Sequence, residues 1–138
     1  MKTVEAGRGE ATPVAAADAY LLAVFASTDG FGVDRCVCDD RRSELLADAD
    51  LMRRQVAATG RDFKVQGTDW KAIAGGGTVS AQVKFIVTDV DAATGRVLFV
   101  HGTAHEWVFH TKRERGIDGG WKVCRIDAPP LCGTHIRC

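Results

Sequence analysis

"TVSAQVKFIVTDV", residues 78–90, places Val79, Ala81, Val83, Phe85 and Val87 on one side of an extended chain. A period of two marks a strand, and a single apolar side marks a sheet with one face to cover. Upstream, "FKVQGTDWKAIA" (63–74) puts Phe63 and Val65 on one face, and the glycines at 75–77 break the chain before the next strand. Downstream, "DAATGR" (91–96) reads as a hairpin loop with glycine near its end. A long strand, "VLFVHGTAHEWVFHTK" (97–112), follows, and "RGIDGG" turns the chain into "WKVCRID" (121–127). Pro129 and Pro130 end the sheet, because neither can donate to a ladder. The second half therefore predicts four antiparallel strands, the middle two longest.

Before Phe63 the period is helical. Thr12 is a hydroxyl N-cap and Pro13 fits the first helical position, where a missing N–H costs nothing. Val14, Ala17, Leu21, Val24 and Phe25 then make one apolar stripe that stops near "STDGFG". "VDRCVCDD" is a short helix or turn, and Asp39 or Asp40 is expected to cap the next helix. That helix carries Leu45, Ala49, Met52 and Val56 on one face and ends at Gly60, suited to a left-handed C-terminal position. Helices grouped first and strands second predict an α+β domain, its N-terminal helices packed on a strongly curved sheet of four or more antiparallel strands, cone-shaped in outline. Residues 1–11 read as a flexible segment, 12–128 as one domain, and 129–138 as a cysteine-containing tail packed on it.

The bulk composition narrows the function. A chain of 138 residues, 46% hydrophobic and 26% charged, fits one globular domain with a real core. Eighteen Lys and Arg balance eighteen Asp and Glu, so nothing draws the protein to nucleic acid or an anionic bilayer. The most apolar run, "AYLLAVFA", is too short to span a membrane. "MKTVEAGRGE" lacks a secretion signal's layout, but this polar, Gly- and Ala-containing opening fits a trimmed juxtamembrane linker.

Five cysteines carry the compartment reading. Cys36 and Cys38 enclose a single residue, and Cys124, Cys132 and Cys138 are unevenly spaced. Neither pattern suits a structural zinc site, even with His135 added, and the two-residue spacing of a thioredoxin motif is absent. Metal and cofactor are therefore not expected. One or two disulfides are, with a bridge from the Cys36/Cys38 connector to Cys132 or Cys138 as the leading pairing. Cys124 alternates with Lys122, so it is expected opposite Trp121 and Val123, covered by the returning tail. This places the domain outside the cytoplasm, secreted or anchored by a segment not included here; a cytoplasmic location is the alternative.

Strand parity selects the candidate chemical groups. His101, Thr103, His105, Trp107 and Phe109 share one face of the long strand. If that face is the inner one, His101 and His105 are candidate acid/base residues, with Asp69 near the triple glycine as a third. Asp127 reads as a strand-end residue. Tyr20, Trp70, Phe85, Thr103, Trp107 and Trp121 are expected to line the pocket. No nucleophile elbow, phosphate loop or metalloprotease helix is present in the sequence.

The helix–helix–strand order, with Gly119, Gly120, Trp121 and Val123 opening the last strand, resembles the nuclear transport factor 2-like superfamily over about Thr12 to Asp127. The cysteine-bearing connector and tail are similar to small actinobacterial extracytoplasmic members. The resemblance implies a cone of helices on a bent sheet, in a group that includes isomerases, dehydratases, cyclases, ligand-binding modules and assembly domains. Fold does not choose among these. The expectation is a non-catalytic binding or assembly module that engages a protein partner or a second copy through the sheet face. "HEWVFH" (105–110) would supply an aromatic contact surface, although core packing of Trp107 and Phe109 is the favoured reading of the two. The alternatives are an isomerase- or cyclase-type enzyme with an acid/base pair in the cone, and a pocket for a small hydrophobic ligand.

Overall fold

The apolar side of residues 78–90 is covered by helices. The computed structural model describes residues 11–26, 32–61, 63–74, 76–115 and 119–136; the side chains of Ala74, Phe99 and His101, and Cys138 with the first ten residues, lie outside the described residues. Helices α1 (Pro13–Phe25), α2 (Val33–Cys36) and α3 (Arg42–Ala58) precede strands β1 (Phe63–Ala74), β2 (Thr78–Val90), β3 (Val97–Glu114) and β4 (Gly120–Asp127). The strands form one antiparallel sheet in chain order, β1-β2-β3-β4. This is the α+β arrangement of helices on one face of a curved sheet.

Helix α1 starts where its cap dictates, with Thr12 Oγ1 accepting from the Ala15 N–H at 3.0 Å and Pro13 in the first turn. Its buried stripe is Ala16, Ala17, Tyr20, Leu21 and Val24. Leu45 and Ala49 are the buried residues of α3, with Met52 and Val56 packed at the core's margin. Arg53 of α3 donates to the Ala23 and Val24 carbonyls, fastening α3 to the end of α1. Gly60 follows α3 with φ 69°, a left-handed value that glycine takes without penalty.

The entry to α3 differs from the expected Asp cap. A 3₁₀ turn, Asp39–Arg41, comes first, and no side chain caps either start. Cys38 is extended and its N–H is spent on the Val123 carbonyl at 2.9 Å, so the chain must tighten before it can enter the helix. Asp39 instead accepts from Arg42 at 2.7 Å.

Val79, Ala81, Val83, Phe85 and Val87 are all buried, together with Trp107, Phe109 and Val123 from the neighbouring strands. Single extra residues interrupt the ladders. Thr68 pairs with Gln82 and Lys71 with Ser80, so β1 bulges at Asp69–Trp70, and Asp69 has φ 55°. On β4, Val123 faces Thr111 while Arg125 faces His110, which makes Cys124 the extra residue.

That bulge corrects the cysteine pairing. Cys124 is disulfide-bonded to Cys38 across a sequence separation of 86, with Cα atoms 5.0 Å apart. The connector lies along β4, where Val37 bridges Val123 in parallel. The connector rather than the tail thus supplies the partner of Cys124. Cys132 is also disulfide-bonded. Cys36 is a thiol whose Sγ donates to the Gly32 carbonyl at 3.3 Å.

In "HEWVFH" the core-packing reading of the aromatics holds over the contact-surface one. Trp107 and Phe109 are both fully buried beneath the helices, so the outward residues of this stretch are Glu106, Val108 and His110 rather than an aromatic surface. The large apolar side chains that do stand exposed at the sheet's end are Val90, Val97, Leu98 and Val100, on the β2–β3 hairpin.

Candidate functional site

The helix-covered face of β3 ends in a histidine that comes from elsewhere. After Pro130 the chain makes a compact turn in which the N–H groups of Thr134, His135 and Ile136 all approach the Leu131 carbonyl. Leu131, His135 and Ile136 are buried on the sheet. The His135 ring stacks on Phe85, with centroids 4.3 Å apart, and meets the edge of the His105 ring at 4.9 Å.

Both ring nitrogens of His135 are engaged. Trp107 Nε1 lies 3.2 Å from Nε2, and Thr103 Oγ1 lies 3.0 Å from Nδ1. An indole N–H can only donate, so Nε2 must accept, and a neutral ring then carries its proton on Nδ1 and donates it to Thr103. The Thr103 hydroxyl keeps its own proton for another acceptor. Burial, with a smaller push from His105, lowers the His135 pKa from 6.5 to about 4. The imidazole is held neutral.

A cleft of about 750 Å³ opens beside this turn. Phe63, Phe85, Val87 and Ile136 form its apolar wall, while Thr59, Thr103 and Thr134 supply hydroxyls. Arg61 and Asp89, paired at 3.7 Å, stand at the same opening. A second cleft of about 480 Å³ lies at the β1 bulge and is lined by Asp69, Trp70, Lys71, Ser80, Gln82 and Glu106.

The expected site residues therefore scatter. Phe85 and Thr103 line the larger cleft and Trp70 the smaller one. Tyr20 and Trp107 are sealed in the core and line neither. Burial, then the nearby Asp48 and Cys36, raises the pKa of Tyr20, and its hydroxyl has no hydrogen-bond partner among the described residues. Trp121 is half-buried, with its ring against Gly77. His105 is exposed at the edge of the helix-covered face, whereas Asp69 shares its cleft with Glu106, which projects from the other face of β3. His105 and Asp69 are not brought together, and the side chain of His101 lies outside the described residues.

His110 and Asp127 do meet, at 2.8 Å, on the solvated side. That hydrogen bond, helped by Arg125, lowers the Asp127 pKa. Among the described residues no three His, Cys, Asp or Glu side chains gather as a metal site needs. Sequence reading weighed His135 only as a zinc ligand and missed its place on the sheet; the apolar Leu131 and Ile136 around it were the available signal.

No protein-family model, curated protein or solved structure matches this chain.

Proposed function

We propose that this chain is a non-catalytic binding or assembly module of the nuclear transport factor 2-like, cone-shaped type, working outside the cytoplasm. The observation that carries this reading is the packing of the helix-covered face away from the cleft beside residues 131–136. Trp107, Phe85, Phe109 and Tyr20 occupy that face, and the imidazole that reaches it has both nitrogens committed. A proton-transfer enzyme needs an acid or base with a nitrogen or oxygen free to reach substrate. The buried Cys38–Cys124 disulfide supports an oxidising compartment, where such bonds persist. No described helix is long and apolar enough to cross a membrane.

With most of the inner face packed, contact with a protein falls to outer surfaces. The β2–β3 hairpin presents Val90, Val97, Leu98 and Val100 to solvent, each more than half exposed. A cluster of that kind at one end of a sheet marks a protein contact. A protein partner engages it, and a second copy of the chain is the first partner to test. Sedimentation of the oxidised protein over a wide concentration range is expected to show reversible association. Leu98→Asp with Val100→Asp should abolish it and leave the thermal midpoint unchanged. A monomer throughout, indifferent to these substitutions, would argue against the hairpin as a self-contact.

A further inference from the structure

The turn at residues 131–136 is attached to the sheet in an unusual way. Among the described residues its backbone hydrogen bonds all close on itself: Gly133 N–H to the Ile136 carbonyl at 2.8 Å, and three N–H groups to the Leu131 carbonyl. Among the described residues it packs on the sheet through the side chains of Leu131, His135 and Ile136. Cys132 is disulfide-bonded as well, but Cys38 and Cys124 are bonded to each other and Cys36 is a thiol, so that bond does not tie the turn to the connector or to β4. The turn follows Ala128, Pro129 and Pro130, a stretch exposed or half-exposed and paired to no strand. Among the described residues it can therefore leave as a preformed unit without breaking a backbone hydrogen bond to the sheet, at the cost of the two His135 side-chain contacts.

We propose that this turn is a proton-released latch: protonation of His135 detaches it and opens the Phe85–Trp107 floor beside the larger cleft. A proton added to Nε2 would point at the Trp107 indole N–H, leaving two donors 3.2 Å apart with no acceptor between them. The charged groups around the ring do not compensate. His105 on β3 repels an imidazolium, Arg61 before β1 is itself cationic, and Asp89 of β2 is paired with Arg61. The latch residues 131–136 contribute no formal charge beyond His135 itself. Stacking on Phe85 offers a cation–π contact, a weak attraction against a lost hydrogen bond and a buried charge. The low His135 pKa agrees with this geometry. The latch goes beyond the binding reading and does not depend on it.

The test follows the Trp107 indole N–H by NMR in protein labelled at tryptophan, with pH lowered from neutrality. Its exchange with solvent is expected to quicken by about tenfold or more with a midpoint of about 4, while β2 and β3 core amides stay protected. His135→Gln, whose side-chain oxygen still accepts from Trp107 but takes no proton, should hold the indole protected throughout. Three outcomes would overturn the latch: wild-type protection persisting to about pH 3, core amides lost at the same midpoint, or the glutamine variant opening at the same pH. The wild-type titration decides alone if that variant does not fold.

Discussion

Cys38 is bonded through sulfur to Cys124 and donates its backbone N–H to the carbonyl of Val123, one residue earlier. The connector is thus held on the outer edge of β4 by one covalent bond and one hydrogen bond, with Val37 and Cys38 fully buried beneath.

Cys38→Ala combined with Cys124→Ala should lower stability without changing the fold. Closing a loop of this separation stabilises by about 4–5 kcal/mol from chain entropy alone, and part of that remains because the connector still docks. A loss of about 2–4 kcal/mol in urea denaturation is expected. A midpoint equal to wild type would show that docking suffices.

Stability should depend on pH through His135. Its pKa is near 6.5 unfolded and about 4 folded, so between these values the unfolded chain binds more protons. The stabilisation is complete above about 6.5, declines as pH falls through this window, and is gone below about 4. The total is at most about 3 kcal/mol. Denaturant titrations at several pH values should show this slope, and His135→Gln should flatten it.

Tyr20→Phe should leave stability unchanged or raise it. The hydroxyl is buried with no partner among the described residues, so deleting it removes an unmet desolvation cost and leaves the ring in place. A gain of up to about 1 kcal/mol is expected in the same assay. A loss of that size would mean the hydroxyl finds a partner in solution.

Gly77→Ala should destabilise by about 2 kcal/mol or more. Gly77 has φ 95°, and a Cβ there would stand 2.6 Å from the Thr111 carbonyl oxygen and 2.7 Å from the Trp121 ring. The Gly77 carbonyl also accepts from Thr111 N–H at 3.1 Å, so the turn cannot swing away freely. Gly95→Ala is the control: its φ is also positive but open space surrounds it, and it should lose less.

Strand β2 was legible to its last residue, because five alternating apolar positions sit between a glycine break and a hairpin loop. Thr12 and Pro13 fixed the start of α1 for an equally local reason. Bulges were not legible. An inserted residue changes no composition and no period, yet every parity counted through it is reversed. This is why Cys124 was assigned to the tail side when it faces the connector. Alternation placed Phe85 and Thr103 on the inner face, and both line the larger cleft. Arg61, Asp89 and His135 come from segment ends and a turn, where spacing carries no directional information. The Cys38–Cys124 contact likewise arises only from tertiary docking.

The strands neighbour one another in the order in which they are made, so each hairpin can zip from its own turn at little loop-closure cost. Cys38 and Cys124 are different: 86 residues apart in sequence, they meet where the connector lies along β4, so their contact needs both in place. Oxidation of that pair would then register completed assembly of the domain, and an oxidase acting before β4 is in place would find the two thiols far apart.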